Sequence, residues 1–142
     1  MIKQISVFVE NKKGRLARIT EVLGKADIDL VALSIADTTN FGIMRCIVSD
    51  PEKTIQLLRS HGFTASTTEV IVAEVPDQPG GLASVLDALD SAGLSVEYLY
   101  SFVRTHGKNA MILFRVEEVE AAVKVLTESG VKLLSEADVY NA

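Results

Sequence analysis

The residues best suited to chemistry lie in one short loop, residues 77–82, between an apolar strand-like run and a helix-like run. The backbone N–H groups of Gly80, Gly81 and Leu82 would open that helix, and a helix N-terminus with unpaired amides holds small anions well. The carboxylate of Asp77 could accept a hydrogen bond from an ammonium group in the same place. The loop therefore fits a free α-amino acid, although a tight turn with no ligand accounts for the same residues equally well.

A plainer copy of this loop occurs earlier, at residues 11–16. Its residues Asn11, Gly14, Arg15 and Leu16 correspond to Asp77, Gly80, Gly81 and Leu82. Asparagine replaces the aspartate and the proline is missing, so we expect this copy to bind more weakly or to be purely structural. Its neighbouring basic residues are also explained by solubility charge alone.

Other chemistry has little support in the sequence. The two histidines, His61 and His106, fall in different halves of the chain, and no spaced Cys/His cluster provides a zinc site. P-loop, Gly-x-Ser-x-Gly and Gly-x-Gly-x-x-Gly motifs are absent. The only cysteine, Cys46, lies in an apolar strand-like run, where a small core residue is far commoner than a nucleophile. The sequence predicts a protein that is not an enzyme and holds neither a metal nor a cofactor.

Composition narrows the class of protein further. The chain has 142 residues, of which 48% are hydrophobic and 23% charged, so it can bury a core. A net charge of −5 argues against nucleic acid as a partner, because phosphate binding needs clustered Lys and Arg. No apolar run approaches the roughly 20 residues of a membrane span, which argues against a membrane partner. One thiol and no visible secretory signal predict a cytoplasmic protein.

The elements that would position the loops follow one order twice. In the first half we predict strands at residues 4–10, 28–37, 43–49 and 63–68, with helices starting near Arg15 and at residue 52. Asp50 and Gly62 are the expected caps of the second helix. In the second half we predict strands at residues 70–75, 94–103, 110–116 and 131–140, and helices at 82–92 and 118–129. Hairpin turns are predicted at residues 38–42 and 104–109.

The halves align as a duplication. A shift of 66 positions pairs Gly14 with Gly80 and Leu16 with Leu82, and after the hairpins the shift becomes 68, which pairs Gly62 with Gly130. The predicted fold is α+β, with two tandem ferredoxin-like βαββαβ units. Each unit would be a four-stranded antiparallel sheet with two helices on one face. We place the domains at residues 1–69 and 70–142.

A βαββαβ unit whose first loop reads Asp-x-Pro-Gly-x-Leu, as residues 77–82 do, resembles the ACT domain, a small amino-acid-sensing regulatory module. Helix residues Val85 and Leu89 continue the likeness. The resemblance covers essentially the whole chain as two tandem ACT domains, and the layout is similar to stand-alone bacterial tandem ACT proteins without a catalytic domain.

The resemblance implies a function and partners. ACT domains pair side by side, and amino acids often bind at the seam, between the first loop of one unit and the strand edge of its neighbour. For this sequence the resemblance implies ligand-binding residues in both first loops: Asn11, Gly14, Arg15, Leu16, Asp77, Gly80, Gly81 and Leu82. A non-catalytic regulatory module is thus expected, with a free amino acid as ligand, a homodimer as assembly and a metabolic enzyme as regulated partner. The apolar residues around the loops favour a hydrophobic amino acid. The alternative is a structural or interaction protein whose sheets mediate dimerisation and whose loops are only turns.

Overall fold

The computed structural model describes residues 1–10, 12–37, 41–106 and 108–141, with the backbone alone for Asp37 and residues 104–106. The chain divides into two compact units. The N-terminal unit is Lys3–Thr68, and the C-terminal unit is Glu69–Ala142 together with Met1–Ile2. The domain boundary predicted after residue 69 stays a prediction.

The N-terminal unit contains β1 (Ile2–Glu10), α1 (Arg15–Lys25), β2 (Leu30–Asp37), β3 (Phe41–Val48), α2 (Pro51–Ser60) and the start of β4 (Thr64–Pro76). Its strands lie in the order β2-β3-β1-β4. Both β1 and β2 run antiparallel to β3.

The C-terminal unit contains the rest of β4, then α3 (Gly81–Ser91), β5 (Val96–His106), β6 (Asn109–Val116), α4 (Val119–Glu128), β7 (Lys132–Leu133) and α5 (Glu136–Tyr140). β6 lies between β5 and β4, and β7 pairs with β4; all three pairings are antiparallel.

Each unit has its own core on the helix-covered face of its sheet. In the N-terminal unit, the alternating β1 residues Ile5, Val7 and Val9 pack with Leu23 and Leu58 from the two helices. Their counterparts in β4 are Ile71, Ala73 and Val75, which belong to a core with residues of α3 and α4. Successive side chains in a strand point to opposite faces of the sheet, so apolar residues at every second position predict which face is buried. The predicted fold class, with two tandem βαββαβ units, is confirmed.

The predicted final strand at residues 131–140 is wrong. Only Lys132 and Leu133 pair with β4, and the chain then turns into α5. Ser135 caps that helix: its side chain accepts a hydrogen bond from the Asp138 N–H at 3.2 Å, and the Asp138 carboxylate accepts one from the Ser135 N–H at 3.0 Å. This reciprocal capping box favours a helix start over continued extension.

Two other boundaries differ from the prediction. The strands predicted at 63–68 and 70–75 are one continuous strand, β4. The hairpin predicted at 104–109 is shorter, because β5 extends to His106 and β6 begins at Asn109, with a register irregularity between Ser101 and Thr105. Of the hairpin predicted at residues 38–42, residues 38–40 lie outside the described part of the chain.

The predicted caps of α2 are confirmed. The Asp50 side chain accepts a hydrogen bond from the Lys53 N–H at 3.1 Å, and proline occupies the first helical position. Gly62, just past the helix, has a φ of 84°, which glycine adopts without steric cost. None of the helices among the described residues is long and apolar enough to cross a membrane.

We expect Ser135→Ala to lower the free energy of unfolding by about 1 kcal/mol, because it removes the side-chain acceptor at the start of α5. Urea unfolding measures the difference. The matched control is Ser91→Ala, at the exposed end of α3, where we expect a change within about 0.5 kcal/mol. Equal losses in the two variants would contradict the capping role.

The reactivity of Cys46 provides a test of its predicted place in the core. Its side chain is fully buried, and burial raises the pKa of its thiol to about 12. At pH 8 only about one thiol in ten thousand is then ionised, against roughly a quarter for a free thiol, and the thiolate is the reactive form. We expect iodoacetamide to modify Cys46 slowly in the folded protein and readily in urea. Rapid labelling of the folded protein would show that the thiol is accessible.

Candidate functional site

The loop before α3 has a defined backbone structure. Gly80 has φ 86° and ψ −8°, in the left-handed region. The Gln78 N–H donates to the Pro76 carbonyl at 2.9 Å, and the Gly81 N–H donates to the Gln78 carbonyl at 3.0 Å. Of the three amides singled out in the sequence, that of Gly81 is therefore used within the loop.

Other donors at this helix start remain available. Within the described part of the chain, the N–H groups of Gly80, Leu82 and Ala83 donate no backbone hydrogen bond, and α3 has no side-chain cap. Asp77 is exposed beside them, and Leu82 is half-buried. A Cβ added at Gly80 would meet nothing within 4 Å, so the space in front of this residue is open.

Gly81 is required for a different reason. A Cβ at this position would lie 2.1 Å from the backbone oxygen of Pro76, far inside van der Waals contact. Glycine is thus needed for close packing of the helix start against the end of β4. The close approach of Gly81 to Pro76 lies within one loop. The sequence alone did not distinguish such a tightly packed loop from a simple turn.

The loop before α1 repeats this geometry. Gly14 has φ 86° and ψ −4°, the Lys12 N–H donates to the Glu10 carbonyl at 2.7 Å, and the Arg15 N–H donates to the Lys12 carbonyl at 3.3 Å. These three features fall on the positions equivalent to those of the second loop. Leu16 is 40% exposed. Asn11, also singled out in the sequence, lies outside the described residues.

Charged side chains surround the first loop. The Glu10 carboxylate lies 2.9 Å from Lys12 Nζ and 3.7 Å from the Arg15 guanidinium. A hydrogen bond from Lys12, together with the charges of Lys12 and Arg15, lowers the pKa of Glu10. The group is solvent-exposed, so this ion cluster contributes charge to the site and little to stability.

A groove lies beside this loop, entirely within the N-terminal unit. It has a volume of about 380 Å³ and is lined by Phe8, Glu10, Arg15, Phe41 and residues 62–64. The rings of Phe8 and Phe41 meet edge to face, with centroids 6.2 Å apart and planes at 75°. The sequence alone did not connect Phe8 with Phe41. The antiparallel register, which pairs Glu10 with Phe41, brings them together.

The equivalent positions of the C-terminal unit have different chemistry. Glu74, Asn109 and Lys132 replace Phe8, Phe41 and Thr64. One Glu74 oxygen accepts a hydrogen bond from Asn109 Nδ2 at 3.2 Å, and the other lies 3.5 Å from Lys132 Nζ. The Glu74 side chain is only 13% exposed, so this carboxylate is largely shielded from water, whereas the Lys132 side chain is 60% exposed.

The two histidines that were considered for catalysis are His61 and His106. His61 ends α2, and its Nδ1 lies 2.9 Å from the Leu57 carbonyl oxygen. The side chain of His106 is outside the described part of the structure. No group of three His, Cys, Asp or Glu side chains among the described residues has the geometry to hold a metal ion.

Several solved structures have a fold similar to that of this chain. A crystal structure of a protein from Bacteroides thetaiotaomicron has 42% sequence identity and a TM-score of 0.93, over 99% of this chain and 96% of that one. The ligand-free regulatory subunit of aspartate kinase from Thermus thermophilus has 16% identity and a TM-score of 0.65, over 89% and 91%. The corresponding subunit from Thermus flavus has 14% identity and a TM-score of 0.62, over 89% and 91%. The likeness to the two Thermus subunits concerns the fold alone.

The sequence comparisons give the family. No curated protein sequence matches the chain at a significant level. The model of a family described as the ACT domain pair matches residues 1–142, the full length of the chain. The ACT resemblance seen in residues 77–82 thus extends over both units, and the chain belongs to the ACT domain pair family.

Proposed function

We propose that this chain is a non-catalytic regulatory module that binds a free amino acid at its helix-opening loops. The observation that carries the proposal is the repeated loop conformation, in which a left-handed glycine precedes the first helix of each unit, α1 and α3. The ligand would lie between such a loop and the strand edge of a neighbouring ACT unit, as the family resemblance implies.

The chemistry of the second loop matches an α-amino acid. The N–H groups of Leu82 and Ala83 open α3, where the helix dipole favours a negative charge, so they suit the ligand carboxylate. The exposed Asp77 carboxylate is close enough in sequence to receive the ammonium. The first loop offers the equivalent amides and has Arg15 in place of Gly81.

The absence of catalysis is part of the proposal, and two arrangements support it. His61 is held against a helix carbonyl, and the Cys46 thiol is buried in the core. The Cys46 thiol is therefore shielded from any substrate, and the exposed His61 ring has one nitrogen engaged with a backbone carbonyl. The regulated partner we propose is a metabolic enzyme, by analogy with the aspartate kinase subunits of the same fold. A hydrophobic ligand, a homodimer and a cytoplasmic location complete the proposal.

A second candidate function, a structural protein that dimerises without a ligand, is favoured by one observation. The strand β2, at the end of the N-terminal unit's strand order, has Leu33 43% exposed and Ile35 45% exposed. Exposed apolar side chains on an edge strand favour pairing with another chain. Dimerisation through β2 is compatible with ligand binding as well, so the two functions need separate tests.

For ligand binding, we expect at least one of the twenty amino acids, at millimolar concentration, to raise the thermal unfolding midpoint. A ligand at a hundred times its Kd stabilises the folded state by about 2.7 kcal/mol. Gly80→Ala or Gly14→Ala, according to which loop binds, should weaken that binding about tenfold or more, since each Cβ occupies the open space before its helix. Calorimetry measures the affinity. No stabilisation by any amino acid would contradict the proposal.

The chain offers matched controls for this experiment. Gly93→Ala, the control, places the same Cβ at a φ of 73° past the C-terminal end of α3, while Gly80→Ala and Gly14→Ala share a φ of 86° at the two helix starts. All three should lose a similar 1–2 kcal/mol of stability, roughly, because each forces alanine into the left-handed region. If Gly93→Ala lowers the affinity as much as the loop variants do, the effect is on folding and not on the site.

For dimerisation, we expect the double variant Leu33→Lys, Ile35→Lys to be a monomer in sedimentation equilibrium, while the unaltered chain is a dimer. Two lysines would place like charges along the edge strand and oppose pairing. Val103→Lys is the control, because Val103 is 92% exposed on β5 and far from β2 in the chain. A double variant that remains dimeric would exclude β2 as the interface.

A further inference from the structure

The groove beside the first loop is a candidate site with both apolar and charged walls. Phe8 lies between Val7 and Val9 in β1, so its ring is on the sheet face opposite the helices. Phe8 is 54% exposed and Phe41 is 47% exposed. Two half-exposed rings in contact form an apolar surface that a folded protein normally covers, and such surfaces often bind ligands.

The charged wall is adjacent to the rings. Glu10 is directly opposite Phe41 in the strand register, and it lies 3.7 Å from the Arg15 guanidinium. Lys12 is closer to Glu10, at 2.9 Å, so the looser contact leaves donors of the Arg15 guanidinium for another anion. The cluster has two cations and one carboxylate, which suits a ligand that brings one carboxylate and one ammonium.

We propose that this groove binds an amino acid with an aromatic side chain. The ligand carboxylate pairs with Arg15, the ammonium contacts Glu10, and the aromatic ring packs on the Phe8–Phe41 pair. The proposal rests on the amino-acid binding proposed above and adds the ligand class and the unit that selects it. A volume of about 380 Å³ is within the range of small-molecule sites, and aromatic rings favour edge-to-face or offset contacts with one another.

The C-terminal unit provides an internal comparison. Its loop has the same backbone conformation, but Glu74, Asn109 and Lys132 replace the aromatic lining. An aromatic ring placed on that cluster would cover its polar groups without giving them new hydrogen bonds, which is unfavourable. Selectivity for aromatic amino acids should therefore belong to the N-terminal unit alone.

Calorimetric titration of the full chain with phenylalanine, tyrosine, tryptophan, leucine and alanine tests the proposal. We expect at least one aromatic amino acid to bind about tenfold or more tightly than leucine, and alanine to bind weakest. Phe8→Leu keeps an apolar side chain and removes the ring, so it should lower the aromatic affinity by about three- to tenfold while leucine binding changes little. Gln56→Ala, exposed on α2 of the same unit and outside the groove lining, is the control and should leave both affinities unchanged.

The charged contacts have their own test. Arg15→Gln should weaken the binding of the aromatic amino acid about two- to fivefold, because exposed ion pairs contribute at most about 1 kcal/mol, and Arg18→Gln, one turn further along α1, should not. An aromatic acid without the ammonium, 3-phenylpropionate, should bind less tightly than phenylalanine. Equal or tighter binding of 3-phenylpropionate would exclude the contact with Glu10.

The outcomes separate this inference from the proposed function. Binding of leucine as tightly as any aromatic amino acid would overturn the inference and leave amino-acid binding intact. Aromatic binding that is lost in Gly80→Ala but unchanged in Phe8→Leu would also overturn it, because the site would then be in the C-terminal unit. Failure of every amino acid to bind would overturn both. Urea unfolding of each variant shows whether a loss of binding comes from a loss of folding.

Discussion

The left-handed glycine before the first helix of each unit is the constraint on which both loops depend. Gly14 and Gly80 share a φ of 86°, a conformation that costs most other residues roughly 1–2 kcal/mol. It allows the chain to leave a core strand and enter a helix within a few residues. A serine or aspartate cap would bond to the first-turn N–H groups, as Asp50 does in α2 and Ser135 in α5. With glycine in that place, the protein forgoes this stabilisation and the donors face solvent.

The two units share the backbone conformation of the loop before their first helix but differ in the side chains around it. The hydrogen bonds that close the loops fall on equivalent residues: Lys12 and Arg15 in one unit, Gln78 and Gly81 in the other. Backbone geometry of this kind tolerates many side chains, so it persists while the lining diverges. One unit has the Phe8–Phe41 pair, and the other has a shielded carboxylate with Asn109 and Lys132. Two loops of one shape can therefore serve different ligands.

The sequence predicted those features of the fold that depend on residues close together in the chain. Alternation in residues 4–10 and the Asp50-Pro51 helix start both depend on neighbours in the chain, and both predictions are confirmed. The final strand was inferred from the repeat, but Ser135 and Asp138 stabilise a helix there by a local capping box that the first half lacks. The groove was missed because it depends on the register between β1 and β3, which places Glu10 opposite Phe41. Register is set by packing over the whole sheet, so no short segment contains it.

The distribution of charge and apolar surface around the groove indicates how its affinity would arise. Glu10 and Arg15 are well exposed, and exposed ion pairs in water contribute little net free energy because solvent screens them. Covering a half-exposed aromatic pair with a ligand ring removes apolar surface from water at roughly 25 cal/mol per Å², which is the larger contribution. The charges would then fix the orientation of the ligand, while the rings would provide most of the affinity and the discrimination between side chains. A small ligand bound in this way has modest affinity and responds to changes in its concentration, as a regulatory site requires.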